Sequence, residues 1–580
     1  MKSYSISIRR NILFIITVIL TATLVSCNDD DFLTENPKDF LAPDNAYSSL
    51  AGMKQGVTGL HFRTRYDWFQ PGGDDYQDCF AIYKGVGTDI AFHGEDPGST
   101  RFLCNYETYL VPTSGYVQDY WKRPFIVIQY ANMLIDAIDR NNEVQWTSEA
   151  QKQAYRAEAQ FFRAFMYRHL VSFFGDVPVI EDVVSAAKTD FVRDPVSKAY
   201  ELMERDLKAA AQYLPDPGKE EDLGRITKGA ALHLLTEVYL MQKKYDDAIA
   251  TATKVINDFG YRLMTERFGK QNDVFGKGDV YQDLFTYGNH NLQENKEAIW
   301  VVQYEPPTIT GGGNARTIRA FGPAYFRISL PDGKMAFRGE LIDGKYTGYS
   351  DTLGRPVAWI HPSILMTHQA WYGDWDTDIR NSSNNVKRDF YCDNPESEYF
   401  GQRIDFSSDF FKNAYATGRD AMRDSCQYIY PYFMKMADPC NILDNPAQSG
   451  GGGIFKDQYG MRLAETYLFR AEAYIQKGMV AEAAADINKI RERAHATPVA
   501  ASAVTLDYLL DESARELYGE TCRHFILRRT GKLLERVRKY NNNPRYPACN
   551  IQDYNILWPI PQSQIDLNIS VPFEQNKGYN

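Results

Sequence analysis

The sequence lacks the motifs that mark common enzyme classes. Its 580 residues contain no HExxH zinc motif and no CxxC pair, and the nine histidines are scattered along the chain. Glycine runs at Gly311–Gly313 and Gly450–Gly453 lack the GK[ST] ending that a phosphate-binding loop needs. No catalytic signature remains, so the sequence predicts a protein that is not an enzyme and needs no cofactor.

An excess of positive charge is also missing. The chain has 64 Lys and Arg against 75 Asp and Glu, which gives a formal net charge of −11. Binding to nucleic acid rewards clustered Lys and Arg, because each one neutralises a backbone phosphate. The acidic balance therefore argues against a nucleic-acid partner.

No hydrophobic run reaches membrane-spanning length. The longest, Ile12–Val25, has 14 apolar or small residues, whereas a bilayer needs about 20. It follows Lys2, Arg9 and Arg10, and this order of charge, apolar run and small residues is typical of a secretory signal peptide. We assign the signal peptide to residues 1–26; its removal takes three positive charges and changes the net charge from −11 to −14.

The apolar run ends at a cysteine. The string LVSC, which ends at Cys27, resembles the lipobox of bacterial lipoproteins, in which the cysteine becomes the first mature residue and is lipidated. We therefore predict lipidation of Cys27 and a protein that is anchored to a membrane without spanning it. The alternative is an ordinary secreted protein in which Cys27 is incidental.

Seven cysteines remain after Cys27, and they are widely spaced. An odd number in an exported protein cannot close into a complete disulfide framework. Cys79 with Cys104, or Cys426 with Cys440, could pair, and the sequence does not decide between these and the default of free thiols.

Two segments that are far apart in the chain, Leu234–Ile256 and Leu468–Ile490, have similar sequence patterns. In each, a tyrosine is followed nine residues later by an alanine: Tyr239 and Ala248 in the first, Tyr474 and Ala483 in the second. This is the spacing of the tetratricopeptide helix pair, in which the small residue lets the second helix lie close to the first. We predict two helical hairpins that need neighbours to bury their inner faces.

Further helices are expected before the first hairpin. The segment Ala154–Ile180 has apolar residues at helical spacing, and its helix should end near Gly175. A partner helix is expected within Pro195–Pro215, and Trp121–Asp139 is another helical segment. By contrast, residues 261–460 are rich in Gly, Pro and Asn, which predicts a loop-rich, partly β insertion carrying the ligand site.

One aromatic cluster lies inside that insertion. The segment Trp359–Trp375 holds three of the eight tryptophans. Exposed aromatic rings suit the C–H face of a sugar, and neighbouring polar groups suit its hydroxyls. We predict ligand contacts from this segment, with a buried satellite core as the equally weighted alternative; the candidates are Trp359, Trp371, Tyr372 and Trp375.

A second cluster, His61–Gly94, interleaves aromatic and acidic residues. Its candidate ligand-binding aromatics are Trp68, Tyr76 and Tyr83. The acids Asp74, Asp75 and Asp78 are weak candidates for a structural Ca²⁺, which prefers oxygen ligands. Solvated acids are the favoured interpretation of these three residues.

One carboxylate pair supports a weak enzyme alternative. Glu516, Glu520 and Arg523 have the i, i+4, i+7 spacing of one helix face, where two carboxylates can act as acid and base. Charge pairs at this spacing are common on scaffold helices, and glycosidase carboxylates must also flank a cleft. A salt-bridged scaffold helix is the favoured interpretation, and a surface glycoside hydrolase the weaker one.

Several strings in the chain resemble one family. The Cys27 lipobox, RAEAQFFRAFMYRHLVSFFGDVPVI (Arg156–Ile180), RLAETYLFRAEAY (Arg462–Tyr474) and LWPIPQSQIDLNISVPFEQNKGYN (Leu557–Asn580) are similar to motifs of the SusD/RagB family of Bacteroidetes. The resemblance implies a mostly α fold with a tetratricopeptide-like scaffold and an irregular insertion. It divides one integrated domain, 27–580, into a tether at 27–60, scaffold at 61–260, insertion at 261–460 and a C-terminal part at 461–580.

The resemblance also implies a function. Such proteins are lipid-anchored on the outer face of the outer membrane and pass oligosaccharides, or peptides in RagB-like members, to a SusC-like TonB-dependent transporter. The string GTDI, Gly87–Ile90, is similar to a segment near the family's ligand site, which adds Asp89 to the candidates, with a turn-capping residue as the alternative. We expect a glycan-binding protein, with a peptide-binding member as the alternative.

Overall fold

The computed structural model describes residues 46–69, 77–94, 103–274, 276–305, 315–339, 341–342, 345–346, 348, 352–439 and 454–579. The predicted signal peptide and Cys27 lie outside these residues. Within them, the helices are all too short or too polar to cross a membrane.

A helical scaffold forms the N-terminal half. Its elements are α1 (Leu50–Thr64), α2 (Gln77–Tyr83), β1 (Ala91–Phe92), α3 (Tyr106–Tyr109), α4 (Gly115–Arg140), α5 (Glu149–Phe174), α6 (Val196–Tyr213), α7 (Lys228–Met241) and α8 (Tyr245–Asp258). Helix α5 begins where the Ser148 side chain accepts a hydrogen bond from the backbone of Gln151, and ends at Gly175, whose φ of 72° stops the helix. The sequence prediction for this helix and its partner α6 is confirmed.

The middle of the chain consists of short elements. They are α9 (Val280–Leu284), β2 (Ala298–Val302), α10 (Thr317–Phe321), β3 (Leu341–Ile342), β4 (Lys345–Tyr346), β5 (His361–Pro362), α11 (Ile364–Thr367), β6 (Val386–Lys387), α12 (Asp409–Ala416), α13 (Ala421–Arg423), β7 (Tyr432–Phe433) and β8 (Gln458–Arg462). The described strands pair antiparallel as β1 with β5, β2 with β8, β3 with β4 and β6 with β7. The expectation of a loop-rich, partly β region is met.

Helices return at the C-terminus: α14 (Leu463–Gln476), α15 (Val480–Arg493), α16 (Leu506–Leu517), α17 (Arg523–Arg529), α18 (Leu533–Tyr540) and α19 (Gln562–Leu567). The two predicted hairpins are α7 with α8 and α14 with α15. Ala248 and Ala483 are fully buried where the paired helices approach, as the tetratricopeptide spacing requires. The fold is mostly α, as predicted.

The scaffold continues across the insertion. Helices α4, α5, α6, α7 and α8 pack in succession, and α8 packs directly against α14, although residues 259–462 lie between them in sequence. The row then continues from α14 to α15. The chain therefore leaves the row of helices after α8, forms the insertion, and rejoins the row at α14. A continuous helical platform thus supports the insertion.

Many buried apolar residues of the insertion form a second hydrophobic core, to which the segment 80–91 and the C-terminal helices also contribute. Trp359, Trp371, Tyr325, Phe390 and Tyr432 are among its buried members, whereas most scaffold residues belong to a larger, separate cluster. Trp359 and Trp371 supply two of the largest side chains of this second core.

Candidate functional site

The early aromatic candidates lie in the scaffold core. Trp68 has no exposed surface and Tyr83 is 3% exposed. The Trp68 ring lies 4.4 Å from the ring of His169, measured between centroids, and Tyr83 stacks on the same histidine at 5.7 Å. Because both side chains are enclosed, their interpretation as ligand-stacking residues is wrong: they fill the space between the early segment and α5.

Asp89 is buried in an ion cluster. Its carboxylate accepts hydrogen bonds from Arg523 at 2.7 and 2.9 Å and from Arg536 at 2.7 Å. Burial opposes its ionisation, but the two guanidinium groups outweigh burial and lower the pKa of Asp89 to about 2. The side chain has no exposed surface, so its proposed role in the ligand site is corrected to that of a link between the early segment and the C-terminal helices.

Trp359 and Trp371 are buried in the insertion core. Each is 1% exposed. The indole N–H of Trp371 donates to the carbonyl of Met366 at 2.7 Å, and the ring packs near Phe433. For these two residues, the interpretation as a buried satellite core is correct, and the interpretation as ligand-stacking residues is wrong.

The remaining early candidates cannot be placed. Tyr76, Asp74 and Asp75 lie outside the described residues, as does the side chain of Asp78. Calcium binding by the three acids stays a prediction. In the described part of the chain, no group of three or more His, Cys, Asp or Glu side chains is arranged to hold a metal ion.

Two candidates are exposed, and they share one turn of the insertion. Tyr372 is 70% exposed and Trp375 is 38% exposed. The Trp375 ring lies 5.9 Å from the ring of His368, nearly parallel to it, and the Arg388 guanidinium lies 4.7 Å from the Trp375 ring centre. We call His368, Tyr372, Trp375 and Arg388 the Trp375 patch.

The turn that carries the patch is fixed at both ends. Trp371 anchors its start in the insertion core, and Gly373 has a φ of 91°, a conformation that favours glycine. The carboxylate of Asp374 pairs with Arg491 at 2.5 Å and accepts from the backbone of Thr497 at 2.9 Å. The carbonyl of Trp375 accepts from Asn381 at 2.7 Å. The outward rings therefore stand on a turn tied to the scaffold.

The patch combines aromatic faces with one cation. Burial lowers the pKa of Arg388 to about 10, which leaves the group positively charged at neutral pH. Burial, and then Arg388, lower the pKa of His368, so this imidazole is neutral near pH 7. The exposed side chains of Asp376 and Thr377 follow in the same turn. Apolar faces beside hydroxyl and carboxylate groups match the two chemical surfaces of a sugar.

Arg388 was not among the sequence candidates. It lies 13 residues beyond Trp375, and its guanidinium is held at 2.5 Å from the side-chain oxygen of Asn381. Only the path of the chain through β6 brings it to the indole, so no local pattern pointed to it.

The carboxylates of the hydrolase alternative are internal. Helix α16 ends at Leu517 and α17 begins at Arg523, so Glu516, Glu520 and Arg523 do not share one helix face and that prediction is wrong. Glu516 pairs with Arg380 at 2.9 Å and with Arg462 at 2.6 Å, and Arg462 also reaches Glu520 at 2.8 Å. The favoured interpretation is right that the carboxylates are salt-bridged, but the expected single helix and the expected partners Arg528 and Arg529 are wrong, because Arg529 pairs with Glu237 and Glu472 instead.

Comparisons with known proteins agree with this architecture. The model of the SusD family matches residues 367–579, and a second family model, described as starch-binding associating with outer membrane, matches residues 88–240. SusD-like protein P25 of Formosa agariphila is 26% identical over 597 aligned residues, which cover 96% of each chain. Starch-binding protein SusD of Bacteroides thetaiotaomicron is 40% identical over 121 residues, 20% of this chain and 21% of that one.

A solved structure shows the same fold. Surface glycan-binding protein A from Bacteroides thetaiotaomicron, in complex with laminarihexaose, superposes with a TM-score of 0.62 at 18% identity and covers 91% of this chain and 99% of its own. The likeness extends over nearly the whole of both chains, so this chain shares the fold of that protein. The chain belongs to the SusD/RagB family.

Proposed function

We propose that this protein is a cell-surface lipoprotein that captures oligosaccharides and passes them to a SusC-like TonB-dependent transporter. The observation that carries the proposal is the Trp375 patch, because exposed aromatic rings on a fixed turn suit stacking against sugars. Acyl groups on Cys27 would hold the protein at the outer face of the outer membrane, since stable anchoring takes more than one chain. The family assignment and the names of the relatives support this function.

Glu516, a carboxylate of the hydrolase alternative, is unsuited to the role of a general acid. Burial opposes the ionisation of Glu516, but Arg493, Arg462 and Arg380 lower its pKa well below the ordinary value. A general acid must carry a proton near neutral pH, and Glu516 does not. We therefore propose that the protein binds glycans without cleaving them.

Glycan binding is tested on residues 28–580 by affinity electrophoresis and calorimetry. Starch and laminarihexaose are the first probes, because relatives carry these ligands in their names. Trp375→Ala and Tyr372→Ala should each weaken binding about tenfold, or about 1.4 kcal/mol, as expected for a central aromatic contact. The matched control is Tyr213→Ala, since Tyr213 is 42% exposed but lies on scaffold helix α6.

The results of these binding experiments test glycan binding separately from the assignment of the Trp375 patch as its site. If the wild type binds a glycan and both patch variants bind it equally well, glycan binding stands and the Trp375 patch is refuted as its site. If the wild type retains peptides and no glycan across a polysaccharide panel, the RagB-like alternative replaces the proposal. Release of reducing ends from a bound glycan would contradict the non-enzymatic assignment.

A further inference from the structure

An apolar groove lies on the scaffold, formed by α4, the segment 178–191 and α19. It encloses a cavity of about 550 Å³, within the range of ordinary binding sites. Its lining is mainly apolar and includes Phe125, Ile126, Tyr130, Ile180, Phe191 and Phe573. Tyr130 is 44% exposed and Leu567 is 66% exposed. An open apolar surface of this kind marks an interaction site.

The chain enters the described fold at the edge of this groove. A Cβ placed on Gly56 would lie 2.7 Å from the Tyr47 ring and 3.0 Å from the Leu134 side chain. The Tyr47 and Leu134 side chains therefore both lie next to Gly56. Leu134 is four residues from Tyr130 on α4, a rise of about 6 Å along the helix. Burial and the nearby Tyr130 hydroxyl both raise the pKa of Tyr47, which again places Tyr47 beside the groove wall.

The sequence just before this point carries suitable side chains. Residues 28–45 contain the string DFL twice, so that Phe32–Leu33 and Phe40–Leu41 each follow an aspartate. The six residues from Leu41 to Tyr47 span at most about 20 Å when extended, which brings the second pair within reach of the groove. Either pair supplies two large apolar side chains.

The groove also offers one cation to this acidic part of the sequence. Residues 28–45 carry six acids and one lysine. Lys122 and Lys188 line the groove. Lys188 pairs with Asp190 at 2.9 Å. Lys122 is exposed and is available to an acid of residues 28–45, which are part of the predicted tether.

We propose that the tether docks in this groove, with Phe40 and Leu41 filling the cavity beside Tyr130. Such docking would give the chain a fixed exit point from the scaffold. The 13 residues from Cys27 to Phe40 then limit the distance between the predicted anchor and the groove to about 45 Å. The inference goes beyond glycan binding and does not depend on it.

Hydrogen exchange followed by mass spectrometry tests this on residues 28–580. In the wild type, amides of residues 38–45 should exchange at least about tenfold more slowly than those of an unstructured peptide. Phe40→Ser with Leu41→Ser should abolish this protection and speed exchange in segment 178–191. The matched control is Phe32→Ser with Leu33→Ser, which alters the other DFL string and should leave both regions unchanged.

The groove is altered separately by Tyr130→Glu. This change places a charge on the cavity wall at an exposed position, and it should also abolish protection of residues 38–45. Tyr213→Glu, at a similarly exposed tyrosine of α6, is its control, and circular dichroism checks that each variant folds. Exchange of residues 38–45 at the unstructured rate in the wild type, protection that survives Tyr130→Glu, or protection that grows with protein concentration as for a second copy would overturn the proposal.

Discussion

The ion cluster around Asp89 makes a quantitative prediction for Asp89→Asn. The pKa of Asp89 is about 2 in the fold against 3.8 for an unperturbed aspartate. At about 1.36 kcal/mol for each tenfold change, this difference contributes about 2.5 kcal/mol to the free energy of unfolding. Because the folded pKa is lowered, the contribution is fully present above about pH 4 and is lost as pH falls toward 2. It is therefore complete at neutral pH.

The substitution also leaves buried cations without their partner. Arg536 keeps contacts to Asp507 and Asp511, but the carboxylate of Asp89 is the acid that Arg523 meets. Removing one member of a buried pair typically costs about 3–5 kcal/mol. We expect Asp89→Asn to lower the free energy of unfolding by about 3 kcal/mol at pH 7, near the lower end of this range because Arg536 retains two acids.

Denaturant unfolding followed by tryptophan fluorescence measures this loss. The control is Asp389→Asn, because Asp389 and Arg403 form an exposed pair worth less than about 1 kcal/mol. An Asp89→Asn protein as stable as the control would refute the structural role. Weakened glycan binding at unchanged stability would restore Asp89 to the ligand site.

Two further predictions concern the insertion and its attachment. Trp371→Ala should lower the free energy of unfolding by about 3–5 kcal/mol, because it leaves a cavity at a buried site. Trp375→Ala should lower it by less than about 1 kcal/mol. Equal unfolding midpoints for the two variants would contradict the different burial of these rings. Burial raises the pKa of Asp457 to about 6, so the fold disfavours the charged form of this carboxyl. As pH rises from 4 to 6, the free energy of unfolding of the wild type should therefore fall by about 3 kcal/mol relative to that of Asp457→Asn. Urea unfolding at pH 4.5–7.5 measures this, and parallel pH profiles for the two proteins would exclude it.

The helical scaffold was predictable because its signals are local. Apolar spacing, a glycine stop at Gly175 and the small residues Ala248 and Ala483 each act within one helix or one hairpin. These features can be recognised without knowledge of distant contacts. They also fix which face of the hairpin must be covered, so the row of packed helices follows from the same pattern.

The candidate site was only partly predictable because burial in the insertion is not local. Trp359, Trp371 and Trp375 stand in similar loop-like sequence, yet the first two fill a core whose other walls come from β6, β7 and the segment 315–339. Asp89 meets partners more than 400 residues away. No spacing rule distinguishes these environments, since they depend on how segments far apart in sequence come together in the fold.

The contacts beneath the Trp375 patch explain why this turn can serve as a binding surface. Asp378 and Arg380 follow the patch and are fully buried, and Arg380 joins Glu512 and Glu516 of α16 at 2.8 and 2.9 Å. Asp374 binds Arg491 of α15 in the same way. A flexible turn would lose conformational entropy on binding a glycan, and that loss would weaken binding. Trp371 anchors the start of this turn in a hydrophobic core, and Asp374 and Arg380 join the turn and its end to scaffold helices. Most of that ordering is therefore already complete in the unbound protein.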